Sequence, residues 1–376
     1  MGKHKIALIS DWYFPKVGGI EYSMHALAKT LSMHGHEVNV ITRGYPEVPE
    51  YSIRDGVPVI RIKSKPLPGQ HRFLTPDAYK KVYTILKESN YEVINCHGLD
   101  SPIAMSALIA SRKLGIPVVV TNHSLVGHTL NSSLLYLAGK FFLKNADAVI
   151  AVSSAVEKDS KVMTVKPVYR IFNGVDSENA ATEVFFPFNI EGKTVIVTVA
   201  RMTKKKGVQN IVDLAPSLLA KNKNLLFIMI GDGPLKKSLE KRVEEMGVSN
   251  NFYFTGEISR GEVFGYLDQA DIFALPSVDE AFGISILEAI SKNVPVVAMN
   301  HSGVSDIIKN GVNGYLADNI MEFSSYLQTL IEKPALRTLL ATRASQELSK
   351  YDWNRIYKQT NQVYTKVIYE KHHNNN

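Results

Sequence analysis

The sequence contains one cysteine, Cys96, in 376 residues, so no disulfide can close within the chain. This fits a reducing compartment, and the expected localisation is cytoplasmic. No apolar run approaches the length of a bilayer span. The opening Lys3-His4-Lys5 leads into Ile6-Ala7-Leu8-Ile9, an apolar stretch too short for a secretory leader and better read as a first strand. No carboxylate-rich cluster resembles a divalent-metal site, so neither metal nor cofactor is expected. The Gly18-Gly19 pair lacks the spacing of a dinucleotide fingerprint, which argues against NAD. No aromatic-interleaved basic tract or nucleic-acid module is present, so nucleic acid is not an expected partner. The net charge of +7 suits instead an anionic substrate or an anionic membrane surface. Low-complexity sequence is confined to the polar end His372-His373-Asn374-Asn375-Asn376, which reads as a frayed tail.

What is present is an ordinary globular composition, 45% hydrophobic and 21% charged, at a length that suits two domains. Strands alternate with helices throughout. Ile6 to Ser10 reads as a strand, the Gly18-Gly19 loop follows, Glu21 to His34 reads as a helix, and His36 to Thr42 as the next strand. The pattern continues through strands at Tyr91–His97, Ile116–Thr121, Ala146–Ser153 and Val168–Asp176, with a helix over Pro102–Leu114. It restarts with strands at Thr194–Ala200, Leu225–Ile230 and Val248–Thr255, a helix over Leu235–Met246, and strands at Asp271–Ser277 and Val294–Met299. This predicts an α/β protein of two doubly wound, Rossmann-like domains facing a central cleft. The expected boundaries are an N-terminal domain over 1–176, a linker over 177–193, a C-terminal domain over 194–350 and a returning C-terminal helix over 351–371.

The most informative stretch runs from Asp279 to Ile290. A strand ends at Pro276-Ser277, a glycine follows at Gly283, and a helix-compatible segment begins at Ile284. Unpaired N–H groups and the positive end of the helix dipole make such a turn an anion site. Glu280 and Glu288 flank it, and carboxylates near a phosphate make sense if they face hydroxyls attached to that phosphate, a sugar on one side and a ribose on the other. Taken alone, the two glutamates read more readily as solvated side chains. Arg201 and Lys206, past the end of another strand, supply the matching cations, because a guanidinium fork and an ammonium together neutralise a diphosphate. Lysine runs such as Lys204-Lys205-Lys206 also commonly face water.

The ordered set is Phe14 to Glu21 with its glycine pair, Thr121-Asn122-His123-Ser124, Asn173-Gly174-Val175-Asp176, Arg201 with Lys206, Gly231-Asp232-Gly233-Pro234, and Glu280 with Glu288 seven residues apart. This set resembles the family 4 retaining glycosyltransferases of the GT-B fold over almost the whole chain. Tyr351-Asp352-Trp353 and the segment after it resemble the family's C-terminal helix. Thr121 to Gly127 is most similar to the GlcNAc transferase of GPI-anchor synthesis.

The resemblance implies a set of roles. Gly18 and Gly19 would let backbone approach the donor diphosphate, and Gly231 would line the donor site. Arg201 and Lys206 would bind that diphosphate and stabilise the leaving nucleotide in place of a metal. The N–H groups of Phe282, Gly283 and Ile284 would hold the distal phosphate or the sugar. Glu280 would accept from sugar hydroxyls and Glu288 from the ribose, while Thr255 to Ile258 would pack on the base. His123, which on residue type alone reads as a local hydrogen-bonding group, would sit near the reacting carbon. The implied reaction is retaining transfer of a hexose or N-acetylhexosamine from a nucleotide-sugar, a UDP-sugar such as UDP-GlcNAc being favoured over GDP- or ADP-sugars, to a lipid, glycan or small-molecule acceptor. His301-Ser302-Gly303-Val304-Ser305-Asp306 departs from the family, which often has a glycine pair and a glutamate there; Val304 and Asp306 bear on recognition of the donor sugar. Asp279 has no assigned role. A sugar-nucleotide 2-epimerase of the same fold, turning over donor without acceptor, and a non-catalytic nucleotide-sugar-binding protein remain the alternatives. Leu134 to Lys144 and Arg61 to Arg72 read first as a core-facing helix and a solvated loop. With a lipid acceptor they become surfaces for peripheral contact with the anionic inner face of a membrane.

Overall fold

A computed structural model describes residues 2–16, 18–64, 75–125, 133–175 and 181–373. The chain forms two units, Met1–Gly174 with Trp353–Asn376, and Val175–Asp352.

In the first unit, short apolar runs become buried central strands, because both faces of a parallel sheet are covered by helices. Its strands are β1 (Lys5–Ser10), β2 (Glu37–Arg43), β3 (Tyr51–Arg54), β4 (Val57–Ile62), β5 (Val93–His97), β6 (Val118–Asn122), β7 (Ala148–Ala151) and β8 (Val168–Arg170). They lie in the order β3-β4-β2-β1-β5-β6-β7-β8. All pairings are parallel except the β3–β4 hairpin at the edge, which turns at Asp55 and Gly56. Its helices are α1 (Gly19–Met33), α2 (Pro76–Ser89), α3 (Pro102–Leu114), α4 (Ser133–Asn145), α5 (Ser154–Met163) and, from the far end of the chain, Trp353–His373. Thr75, Ser101 and Ser153 each cap a helix by accepting a backbone N–H, and proline occupies the first turn after two of these caps. One core layer includes Ile9, Val82, Ala104 and Val120; the other includes Leu8, Met24, Val40 and Tyr364.

The terminal helix belongs to that second layer. Asn95 donates to Tyr364 Oη at 2.7 Å, and His34 stacks on Tyr357 with ring centres 3.8 Å apart. The expected frayed tail is corrected in part: His372 and His373 complete this helix, His373 bonding to the Tyr369 carbonyl, while 374–376 lie outside the described residues.

The second unit carries β9 (Thr194–Val199), β10 (Leu225–Ile230), β11 (Phe252–Gly256), β12 (Ile272–Leu275), β13 (Val296–Met299) and β14 (Tyr315–Ala317), in the order β11-β10-β9-β12-β13-β14 and all parallel. Numbered within the unit this is 3-2-1-4-5-6, the Rossmann order, which reverses between β9 and β12. Its helices are α6 (Val208–Lys221), α7 (Lys236–Glu245), α8 (Arg260–Asp268), α9 (Ile284–Ser291), α10 (Ile320–Glu332) and α11 (Pro334–Ser345), so Trp353–His373 is α12. The strand expected over Val248–Thr255 starts late, because Ser249–Asn251 make a 3-10 turn before β11 begins at Phe252.

Candidate active site

In a sheet of Rossmann order, ligands sit beyond the carboxyl ends of the strands where the order reverses. In the second unit these are the loops after β9 and β12, which carry Arg201–Lys206 and Asp279–Gly283.

The two loops are joined to each other. Val278 N–H donates to the Lys205 carbonyl at 3.1 Å. Lys206 Nζ donates to Glu280 Oε2 at 2.5 Å, with side chains only 28% and 15% exposed. Lys205 makes a parallel contact with Asp279 at 3.1 Å, which gives the previously unassigned Asp279 a partner. The lysine run is therefore not a freely solvated loop; Lys204–Lys206 form a 3-10 turn ended by Gly207. Gly207 has φ +65, and a Cβ there would lie 1.9 Å from the Pro276 carbonyl oxygen. Gly207→Ala is accordingly expected to cost about 1–3 kcal/mol from backbone conformation alone and more from the clash. Thermal unfolding with and without nucleotide checks this; an unchanged midpoint would remove Gly207 from the argument.

Arg201 is exposed, and among the described residues no carboxylate pairs with it. Its loop is held from below by the Gly231–Pro234 turn. Met202 N–H donates to the Asp232 carbonyl at 2.8 Å, and Gly231, at φ +125, lies so close that a Cβ would meet the Ala200 carbonyl at 2.3 Å. Gly231 thus supports the cation loop by close backbone approach.

Phe282 is buried against Tyr351, Gly283 caps α9, and Ile284 begins it, leaving the first N–H groups of that helix at the same corner as Glu280. The Glu280 carbonyl accepts from Gly303 N–H at 3.0 Å, so the segment that departs from the family supports the glutamate loop. Val304 is buried in the core, and the Asp306 carbonyl accepts from Tyr351 Oη.

Glu288 lies deeper, 7% exposed, and Arg260 from α8 reaches it with Nε 3.1 Å from Oε1. Burial pushes the Glu288 carboxyl above its usual range, and Arg260 opposes that shift. Ile258 is half-buried in the loop between β11 and α8. Arg260 went unread in the sequence. The capping box of α8, Ser259 with Glu262, was the available signal for the helix that presents it.

In the first unit the corresponding reversal lies between β1 and β5. Gly18 is the N-cap of α1 and Gly19 its exposed first residue. The carboxyl of Glu21 folds back over Gly18, where a Cβ would meet Oε2 at 2.6 Å, and burial raises its pKa. His123 follows β6 and stacks on His97 from the end of β5, ring centres 5.2 Å apart. Ser23 Oγ donates to Asn173 Oδ1, tying the α1 face to the Asn173-Gly174-Val175 segment, while Asp176 lies outside the described residues, as do Val126 and Gly127. The structure brings together Lys206, Glu280, the α9 N-terminus and the Arg201 loop in one unit, and His123 with His97 in the other.

Residues 17–179 match the model "Glycosyltransferase Family 4" and residues 181–347 match "Glycosyl transferases group 1". The phosphatidylinositol N-acetylglucosaminyltransferase GPI3 subunit of Saccharomyces cerevisiae is 26% identical over 377 residues, spanning 96% of this chain and 83% of the yeast protein. Anabaena HepE, solved in complex with UDP and glucose, superposes with TM-score 0.80 at 22% identity, covering 96% of this chain and 100% of that one. Sucrose-phosphate synthase from Thermosynechococcus elongatus gives 0.83 at 19%, covering 98% and 100%. At such identities the solved structures speak to fold alone. From two family matches and this shared architecture, the chain belongs to the glycosyltransferases that join a family 4 domain to a group 1 domain on the GT-B fold.

Proposed function

We propose that this glycosyltransferase moves N-acetylglucosamine, or a related hexose, from a UDP-sugar to an acceptor hydroxyl with retention of configuration and without a metal. The observation that carries the reading is the Lys206–Glu280 contact beside the α9 N-terminus, a cation, a sugar-hydroxyl acceptor and backbone donors at one corner. The yeast relative's name, a phosphatidylinositol N-acetylglucosaminyltransferase subunit, supports the choice of sugar and a lipid acceptor.

In this reading Arg201 and Lys206 bind the diphosphate, and the Phe282, Gly283 and Ile284 N–H groups take the distal phosphate. Glu280 holds sugar hydroxyls, Glu288 the ribose, and Ile258 the base, with Gly231 supporting the cation loop. From the first unit, Gly18 and Gly19 offer backbone to the diphosphate and His123 faces the donor sugar. As the bond from the anomeric carbon to phosphate oxygen breaks, its electron pair leaves with UDP. The acceptor oxygen bonds that carbon on the same face, and its proton passes to a donor phosphate oxygen. Positioning and fixed charge carry the barrier reduction, the two cations taking the place of a metal. The α4 helix supports peripheral contact with the cytoplasmic membrane face: Leu137 and Phe141, one turn apart, are 59% and 47% exposed, and Lys140 and Lys144 flank them. Among the described residues no helix is long and apolar enough to cross a membrane.

The test is thermal shift against UDP, GDP, ADP and their sugar conjugates in EDTA. A ligand at a hundredfold its dissociation constant adds about 2.7 kcal/mol. Selective stabilisation by UDP and UDP-GlcNAc is expected; none at millimolar ligand would overturn the reading. Turnover of UDP-GlcNAc without any acceptor would point to the epimerase instead.

A further inference from the structure

His97 and His123 stand at the carboxyl ends of the adjacent parallel strands β5 and β6. The register sets His97 opposite Thr121, which places His123 just beyond the strand end. Their ring planes are inclined by only 23° with centres 5.2 Å apart, and His97 Nδ1 is 3.0 Å from His123 Nε2. Two neutral imidazoles at that distance share one hydrogen, so one nitrogen must donate and the other accept.

The surroundings decide which. His97 is 1% exposed, and its Nε2 is buried with no hydrogen-bond partner among the described residues. Were His97 the acceptor at Nδ1, its own hydrogen would sit on that Nε2 as a buried donor with nothing to receive it. Orphaned buried N–H groups are the rarer and costlier case. The hydrogen therefore belongs on His97 Nδ1, donated to His123 Nε2. His123 must then carry its own hydrogen on Nδ1.

We propose that His97 is a positioning residue that locks His123 in the Nδ1–H tautomer, so that His123 presents a neutral hydrogen-bond donor to an oxygen of the bound sugar. Such a histidine is no general base, because its outward nitrogen is already protonated. This agrees with a reaction in which the donor phosphate receives the acceptor's proton. Burial keeps the pair uncharged: it pushes His123 down to about 4 and His97 well below its usual value, with His123 adding to the latter effect. Thr121, opposite His97 in register, directs its hydroxyl to Asn95 Oδ1, and so leaves the imidazole pair to itself.

The inference rests on His123 meeting the donor sugar. Long-range proton–nitrogen spectra of the full chain labelled with 15N-histidine report both tautomers directly, assigned with the His97→Asn and His123→Gln variants. The expected result is a protonated Nδ1 and bare Nε2 on His123, the reverse of the Nε2–H tautomer favoured by a free histidine side chain. A protonated His123 Nε2 in the wild-type protein would overturn the proposal. In kinetics, His97→Phe is expected to lower kcat roughly tenfold to a hundredfold, as loss of a partner that orients an imidazole does, with the donor KM changed about twofold or less. In His97→Asn the amide nitrogen stands where Nδ1 stood and should restore most of the rate; equal losses in Phe and Asn would overturn the positioning role. If His123→Ala leaves transfer unchanged, the sugar contact fails while the wild-type spectrum still judges the tautomer.

Discussion

Lys206→Ala is expected to reduce kcat for glycosyl transfer by about 10²–10³-fold, the cost of deleting one fixed charge aimed where negative charge develops. Lys206 is the one cation of its turn in contact with Glu280, at 2.5 Å. That contact has two consequences. It holds the ammonium over the corner formed by the Glu280 loop and the α9 N-terminus, so no reorganisation is needed when phosphate arrives. It also fixes the Glu280 carboxylate in place, where its oxygens can accept from hydroxyls.

The fold should survive the change. The pair is partly solvated and on a surface turn, so its loss should cost about 1 kcal/mol or less of stability. Rate and stability therefore separate: a large drop in kcat with an unfolding midpoint near wild type. Glu280→Ala should lose rate on a similar scale, and the double variant little more than either single, because residues acting as a unit are not additive. Steady-state rates at saturating donor for the three variants, with unfolding midpoints, test this. A Lys206→Ala enzyme within threefold of wild type would remove Lys206 from the chemistry.

The contrast between readable and unreadable features follows from the range of the forces involved. Buried parallel strands such as Val195–Val199 and Leu225–Ile230 are continuous apolar runs bounded by turn residues, and those are visible locally. The β3–β4 hairpin was missed because Pro58 and the charged Arg54 and Asp55 break any apolar pattern, although β4 lies inside the sheet and buries Val57 and Val59; only β3 is an exposed edge strand. Helix α2 was also passed over, although Thr75 followed by Pro76 is a start signal that needs no tertiary context. At the site, the spacing of Glu280 and Glu288 pointed to one helix and its entry turn, and the glycine positions to close approach. What spacing cannot give is which cation meets which carboxylate. Lys206 with Glu280, Lys205 with Asp279 and Arg260 with Glu288 are fixed by strand order, since β9 and β12 become neighbours only when the sheet forms. The imidazole stack of His97 and His123 is likewise a product of register between β5 and β6, and neither histidine's own neighbours in sequence reveal it.

The second large effect concerns stability. Arg260→Ala is expected to destabilise the second unit by about 3 kcal/mol, because removing one member of a buried pair leaves the other charge without compensation. For a unit of this size that lowers the unfolding midpoint by roughly 6–12 °C. Glu288 is 7% exposed on α9, and burial already raises its pKa against the pull of Arg260. Without Arg260 the carboxyl rises further and spends more of its time protonated. A carboxyl whose folded pKa lies above its unfolded value is favoured by folding at low pH and loses that advantage as pH rises through the folded value. The gap in stability between variant and wild type should therefore widen from acid toward neutral pH. Replacing both members, Arg260→Met with Glu288→Leu, removes the stranded charge and should recover most of the loss in stability. Transfer should not recover with it if, as proposed, Glu288 is the carboxylate that accepts from the ribose. Urea unfolding of the single and double variants at several pH values, beside their rates, separates the two roles. If Arg260→Ala falls within about 1 kcal/mol of wild type at every pH, the ion pair holds neither the helix nor the carboxylate in place.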